Sequence, residues 1–138
     1  MLMRLAATRR AFGGSVSRAS DSTEAELIAV LVALICLPTS VSLRIVTDSD
    51  ALIKESRTRL SLPRGAVREV VRTHNAVLLD AFVFLRSLRL KRGATVVFAK
   101  VAAHTSHDDC FSCGNRAADA FAKSRALNNA AAPKITYP

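Results

Sequence analysis

Thr47-Asp48-Ser49 closes an apolar run, Val41-Ser42-Leu43-Arg44-Ile45-Val46. β-branched residues make that run a strand, which places Asp48 at a strand end. Upstream, Glu26 lies in Ala25-Glu26-Leu27-Ile28-Ala29, near the start of a long apolar stretch. Downstream, His104 follows Val97-Phe98-Ala99-Lys100-Val101-Ala102-Ala103. Asp119 lies within Gly114-Asn115-Arg116-Ala117-Ala118-Asp119-Ala120-Phe121-Ala122-Lys123. Carboxylate oxygens are the donors that hard cations such as magnesium prefer, and a histidine titrates near neutrality and so can move protons. A separate pattern, His104-x-x-His107-x-x-Cys110-x-x-Cys113, supplies imidazole and thiolate, the donors zinc prefers.

Each of these residues also has a plain structural use. A glutamate near a helix start is stabilised by the macrodipole, and Glu24, one turn away, competes for any role given to Glu26. Thr-Asp-Ser makes a good strand-to-helix turn and cap. His104 could be a surface-loop histidine. Zinc sites usually draw two ligand pairs from separate segments, which the compact 104–113 loop does not do.

Positioning these groups requires a particular order of elements. Residues 2–8 and 11–19 are short, lack helix caps and read as two strands, with Gly13-Gly14 as a bulge or turn. Asp21-Ser22-Thr23 offers N-caps for a helix that runs to Leu37 and stops at Pro38. Residues 41–47 form a strand. Ser49 or Asp50 caps a short helix from Ala51 to about Arg59. Apolar residues at 67, 70, 71, 78, 79, 82 and 85 predict helix from Ala66 to about Leu90, with a break near Thr73-His74-Asn75. Lys91-Arg92-Gly93 is a turn, Ala94–Ala102 a strand, and 103–114 a polar loop. Asn115 then caps a helix to about Asn128, and Pro133 begins an extended tail.

That order, with these motifs on it, resembles the ribonuclease H family. The resemblance is strongest at 24–53 and 94–124. Its most specific part is Gly114-Asn115-x-x-Ala118-Asp119-x-x-Ala122-Lys123, followed by Glu26-Leu27-x-Ala29 and Thr47-Asp48-Ser49. It implies an α/β fold, a mixed sheet flanked by helices. It implies a domain over 1–127 and a tail over 128–138. It also implies a catalytic set of Glu26, Asp48, His104 and Asp119. In that set Glu26, Asp48 and Asp119 hold magnesium or manganese, and His104 assists proton movement or product release. Ser49, Arg86, Arg89, Arg92 and Asn115 would contact nucleic acid. The implied reaction is hydrolysis of RNA in an RNA–DNA hybrid by two metal ions about 4 Å apart.

One family feature is not matched. The family's first strand carries an aspartate, and here the first acidic residue is Asp21. The expectation is that this first, central strand is missing, the domain being incomplete at its N-terminus or degenerate, with activity impaired.

Charge agrees with a polyanionic partner. The formal net charge is +9, with arginines gathered at 57, 59, 64, 68 and 72 and again at 86, 89 and 92. The resemblance places a basic, hybrid-gripping segment in this region, although a solvated helix face would read the same way. The longest apolar run, Leu27–Leu37, is about half a membrane span, so no membrane partner is expected. Three cysteines, Cys36, Cys110 and Cys113, are too few and too uneven for a disulfide framework and favour a reducing, nuclear or cytoplasmic setting. Arg4, Arg9, Arg10 and Arg18, with three serines and no acid in the first twenty residues, would also suit a mitochondrial presequence. Two further readings remain beside the nuclease. One is a basic module that binds nucleic acid without cutting it. The other is a small zinc adaptor built on His107, Cys110 and Cys113. Membership of a larger reverse-transcriptase polyprotein would follow from a retroelement origin.

Overall fold

The computed structural model describes residues 21–63, 66, 68, 69, 74–102 and 110–130. In chain order its elements are α1 (Ser22–Cys36), β1 (Leu43–Thr47), α2 (Asp50–Ser61), α3 (Ala76–Leu90), β2 (Val96–Lys100) and α4 (Cys110–Ala130). The strands expected at 2–8 and 11–19 lie outside the described residues, as does the tail beyond 130.

β1 and β2 pair in parallel, from Leu43 opposite Val96 to Thr47 opposite Lys100. Parallel neighbours need a crossover, and α2 and α3 supply it. Both strands therefore end on the same side, with Asp48 just past the end of β1. Ligand sites in parallel sheets form at such strand ends.

α1 begins where the sequence expects. Asp21 is its N-cap, with Oδ1 accepting from the Glu24 backbone N–H at 2.7 Å. That bond, followed by one from His74 to Oδ2 at 2.7 Å, holds the Asp21 carboxyl below the usual aspartate range. The contact also ties the head of α1 to the segment entering α3. Asn75, at φ 60°, turns the chain into α3, which confirms a break before residue 76. An asparagine tolerates this left-handed conformation better than most residues. Its amide donates to Glu55 Oε2 at 3.3 Å, anchoring the turn to α2. Arg59 of α2 and Asp80 of α3 add an ion pair, with Nε donating to Oδ1 at 2.7 Å.

The core is aliphatic, as the scarcity of aromatics requires. Leu27, Val30, Leu31 and Leu34 of α1 pack with Leu52 of α2, Leu79 and Phe82 of α3, and Val96 of β2. Each fully buried leucine contributes about 1.5–3 kcal/mol. Phe82 meets Phe98 at a ring-centroid distance of 5.7 Å, fixing α3 across β2. Among the described residues no helix is long and apolar enough to cross a membrane.

Two sequence expectations need correction. Arg89, expected on the nucleic-acid face, is fully buried. Its Nη2 donates to the Leu37 carbonyl at 2.8 Å, at the C-terminus of α1. A helix C-terminus carries partial negative charge and unpaired carbonyls, and α1 has no basic residue in its own last turn. Arg89 of α3 provides that cation from a neighbouring helix, so it is not available to a phosphate.

The second correction concerns α4, which begins at Cys110 rather than at Asn115. Asn115 is inside the helix and is not its cap. Gly114 is inside it as well, and a β-carbon added there would meet nothing within 4 Å. Glycine in an open helix interior costs about 0.5–1 kcal/mol relative to alanine. Gly114→Ala should therefore raise the unfolding free energy by about that amount in urea titrations. No gain, or a loss, would mean that the helix starts after Gly114, as the sequence pattern alone implied.

Candidate active site

The strand-to-helix turn at Thr47-Asp48-Ser49 divides its work among its three residues. Thr47 Oγ1 accepts from the Ser49 backbone N–H at 3.1 Å. Ser49 Oγ accepts from the Leu52 N–H at 3.2 Å, making Ser49 the N-cap of α2. The plain use of this tripeptide as turn and cap is thus fulfilled by Thr47 and Ser49. Ser49, expected on the nucleic acid, has a structural task in capping α2.

Asp48 is half-buried, and its Oδ2 accepts from Asn115 Nδ2 at 3.3 Å. This bond spans 67 residues of sequence. It joins the end of β1 to α4, which packs against that strand. The inward face of α4 is legible from burial: Ser112 is buried, and Asn115 and Asp119 are half-buried, while Arg116, Ala117 and Ala118 are exposed. Residues 112, 115 and 119 follow helical spacing, so Asp119 shares the face that touches Asp48 and lies one turn further along.

Glu26 is half-buried on α1, and its Oε2 is enclosed with no hydrogen-bond partner among the described residues. An enclosed carboxylate oxygen with no donor is costly unless a cation reaches it. Glu24, the competitor one turn away, makes an interaction of its own and gives its backbone N–H to the Asp21 cap. The two glutamates thus differ: Glu24 is engaged at the head of α1, and Glu26 is the one with an enclosed oxygen.

The carboxylate oxygens of Glu26, Asp48 and Asp119 are donors of the type that magnesium and manganese take. Among the described residues no group of three or more His, Cys, Asp or Glu side chains is gathered to hold an ion. Glu26, Asp48 and Asp119, expected to converge, are all described and are not gathered into such a group. Magnesium commonly keeps several waters and takes one or two carboxylates plus substrate phosphates.

His104 and His107 lie outside the described residues. So does the side chain of Cys110, whose backbone opens α4. Cys113 is a half-buried free thiol, and its Sγ accepts from Arg116 Nη2 at 3.2 Å within the same helix. Arg86 is half-buried near the end of α3, and Arg92 is exposed in the turn after it. Sequence reasoning missed the bond between Asn115 and Asp48. No local signal pointed to it, since the two residues are 67 apart in sequence.

Comparison with known proteins agrees with this layout. Searches of curated proteins and of solved structures returned no match. The family model of RNase H matches residues 3–127, nearly the whole chain. It covers α1, both strands, α2, α3 and most of α4, in the order described above. The chain belongs to the RNase H family.

Proposed function

We propose that this domain is an endonuclease that hydrolyses the RNA strand of RNA–DNA hybrids with divalent metal ions. The observation that carries the reading is the RNase H family match across residues 3–127. The strand-end position of Asp48 and the inward face of α4 support it.

In this reading Glu26, Asp48 and Asp119 hold the metal, as magnesium or manganese. When bound, such ions stabilise the attacking and leaving oxygens of an in-line displacement at phosphorus. The chain's own part would be to offer carboxylate oxygens from three elements, α1, the end of β1 and α4; among the described residues these are not gathered into one group. His104, outside the described residues, would assist proton movement or product release. Phosphates of the hybrid complete the ion's shell. These 138 residues hold no acidic residue before Asp21, so the aspartate that the resemblance expects on a first strand is unmatched. Cleavage should accordingly be slow. A parent protein containing a reverse transcriptase, as in a retroelement, belongs to the same proposal.

The test is strand-specific. The same labelled RNA is offered to the protein in a hybrid, in an RNA duplex and as a single strand, with magnesium and with EDTA. Cutting confined to the hybrid and abolished by EDTA supports the proposal. Equal cutting of all three would overturn it. The second reading is binding without cleavage, to which the net charge of +9 is equally suited. It would be supported by tight, salt-sensitive hybrid binding with no cleavage.

Both readings place the hybrid near the basic end of α3. Each phosphate contact adds about −0.9 to the slope of log K against log salt. Replacing Arg86 and Arg92 together by alanine should make that slope shallower by about 1–2, measured by fluorescence anisotropy with EDTA present. An unchanged slope would place the nucleic acid on another surface.

A further inference from the structure

We propose that Asn115 is a positioning residue for Asp48: its side-chain amide fixes the strand-end carboxylate before a cation arrives. The inference rests on the metal-dependent reading above and deepens it.

Asparagine is a poor choice inside a helix. It costs roughly 0.5 kcal/mol relative to alanine, because its side chain competes for backbone hydrogen bonds. At this position the side chain reaches across to another element instead. Nδ2 donates to Asp48 Oδ2 at 3.3 Å, and both residues are half-buried. The neighbouring hydroxyls of Thr47 and Ser49 accept from backbone amides of their own turn. The side-chain amide that donates to Asp48 comes from α4, the element that also carries Asp119.

Two consequences follow. A carboxylate already held in one orientation loses less rotamer freedom when it takes a cation. Engaging one oxygen with an amide also leaves Asp48 its charge, which an arginine or lysine partner would largely neutralise. Outer-shell donors of this kind commonly change metal affinity by about 10–100-fold when removed.

The experiment is Mn2+ binding measured by electron paramagnetic resonance on the full chain without nucleic acid, with thermal unfolding in EDTA beside it. Asn115→Ala should weaken Mn2+ binding about 10-fold while leaving the melting temperature unchanged or higher, since alanine is the better helix former. In an Asp48→Asn background the same substitution should cost no further affinity, because there is no charged carboxylate left to orient. Unchanged affinity in Asn115→Ala, or a full additional loss in the double variant, would overturn the positioning role. If Asp48→Asn weakens Mn2+ binding and Asn115→Ala does not, the positioning role fails and the metal reading stands. Wild-type protein that takes up no Mn2+ would overturn both.

Discussion

Asp48→Asn should abolish hybrid cleavage while leaving the fold in place. The substitution keeps the shape and an oxygen to accept from Asn115, so the turn into α2 and the contact with α4 survive. What it removes is the charge. Metal-assisted displacement depends on stabilisation worth several kcal/mol, so the single-turnover rate with enzyme in excess should fall by at least about 100-fold. The unfolding free energy should change by less than about 1 kcal/mol, because the caps at Thr47 and Ser49 are untouched. A variant that cleaves at the wild-type rate would remove Asp48 from the chemistry. A variant that unfolds would show that the residue serves the fold instead.

Arg89 should give the opposite result, a large effect on stability and none on phosphate recognition. Its side chain is fully buried, with one bond to the Leu37 carbonyl and with Nε and Nη1 unpartnered. Arg89→Ala leaves a cavity and frees the α1 carbonyl, and should cost about 2–4 kcal/mol in urea unfolding. Arg89→Met fills most of the space without burying unpaired donors. It should be within about 1 kcal/mol of wild type, or more stable, as often follows when buried charge is replaced by apolar packing. Neither variant should alter the salt slope of hybrid binding. An Arg89→Ala protein of normal stability with a shallower salt slope would put the guanidinium on the nucleic acid and contradict its buried position.

How much of this was legible in the sequence depended on the range of the interaction involved. Local signals were dependable. Asp21 capped α1, Pro38 followed its end, Ser49 capped α2, and Asn75 marked the break before α3. β1 starts at Leu43 instead of Val41 because its pairing begins there: Leu43 N–H donates to the Thr95 carbonyl at 2.8 Å, while Ser42 Oγ accepts from Thr95 at 3.0 Å. Arg89 was misplaced because a charged residue was read as a surface residue. Its spacing told otherwise, since 82, 85 and 89 continue one helical face and Phe82 is buried on it. The start of α4 was misread because Gly-Asn is a strong local stop-and-cap signal, which the structure overrides. The bond between Asn115 and Asp48 joins residues 67 apart, and no local pattern encodes such a pairing. The two histidines of the 104–113 loop lie outside the described residues, as do the expected N-terminal strands.

The proposal that Glu26, Asp48 and Asp119 share a metal site is tested most directly by paramagnetic broadening. Mn2+ is titrated into isotopically labelled protein, and the resonances of Glu26, Asp48 and Asp119 are followed with those of their neighbours. One ion site served by three elements requires that all three regions broaden together, at the lowest Mn2+ added, and that Asp48→Asn abolish the broadening at each. Broadening at only one of the three, or persistence of the pattern at Glu26 and Asp119 in Asp48→Asn, would show that these carboxylates do not share a site.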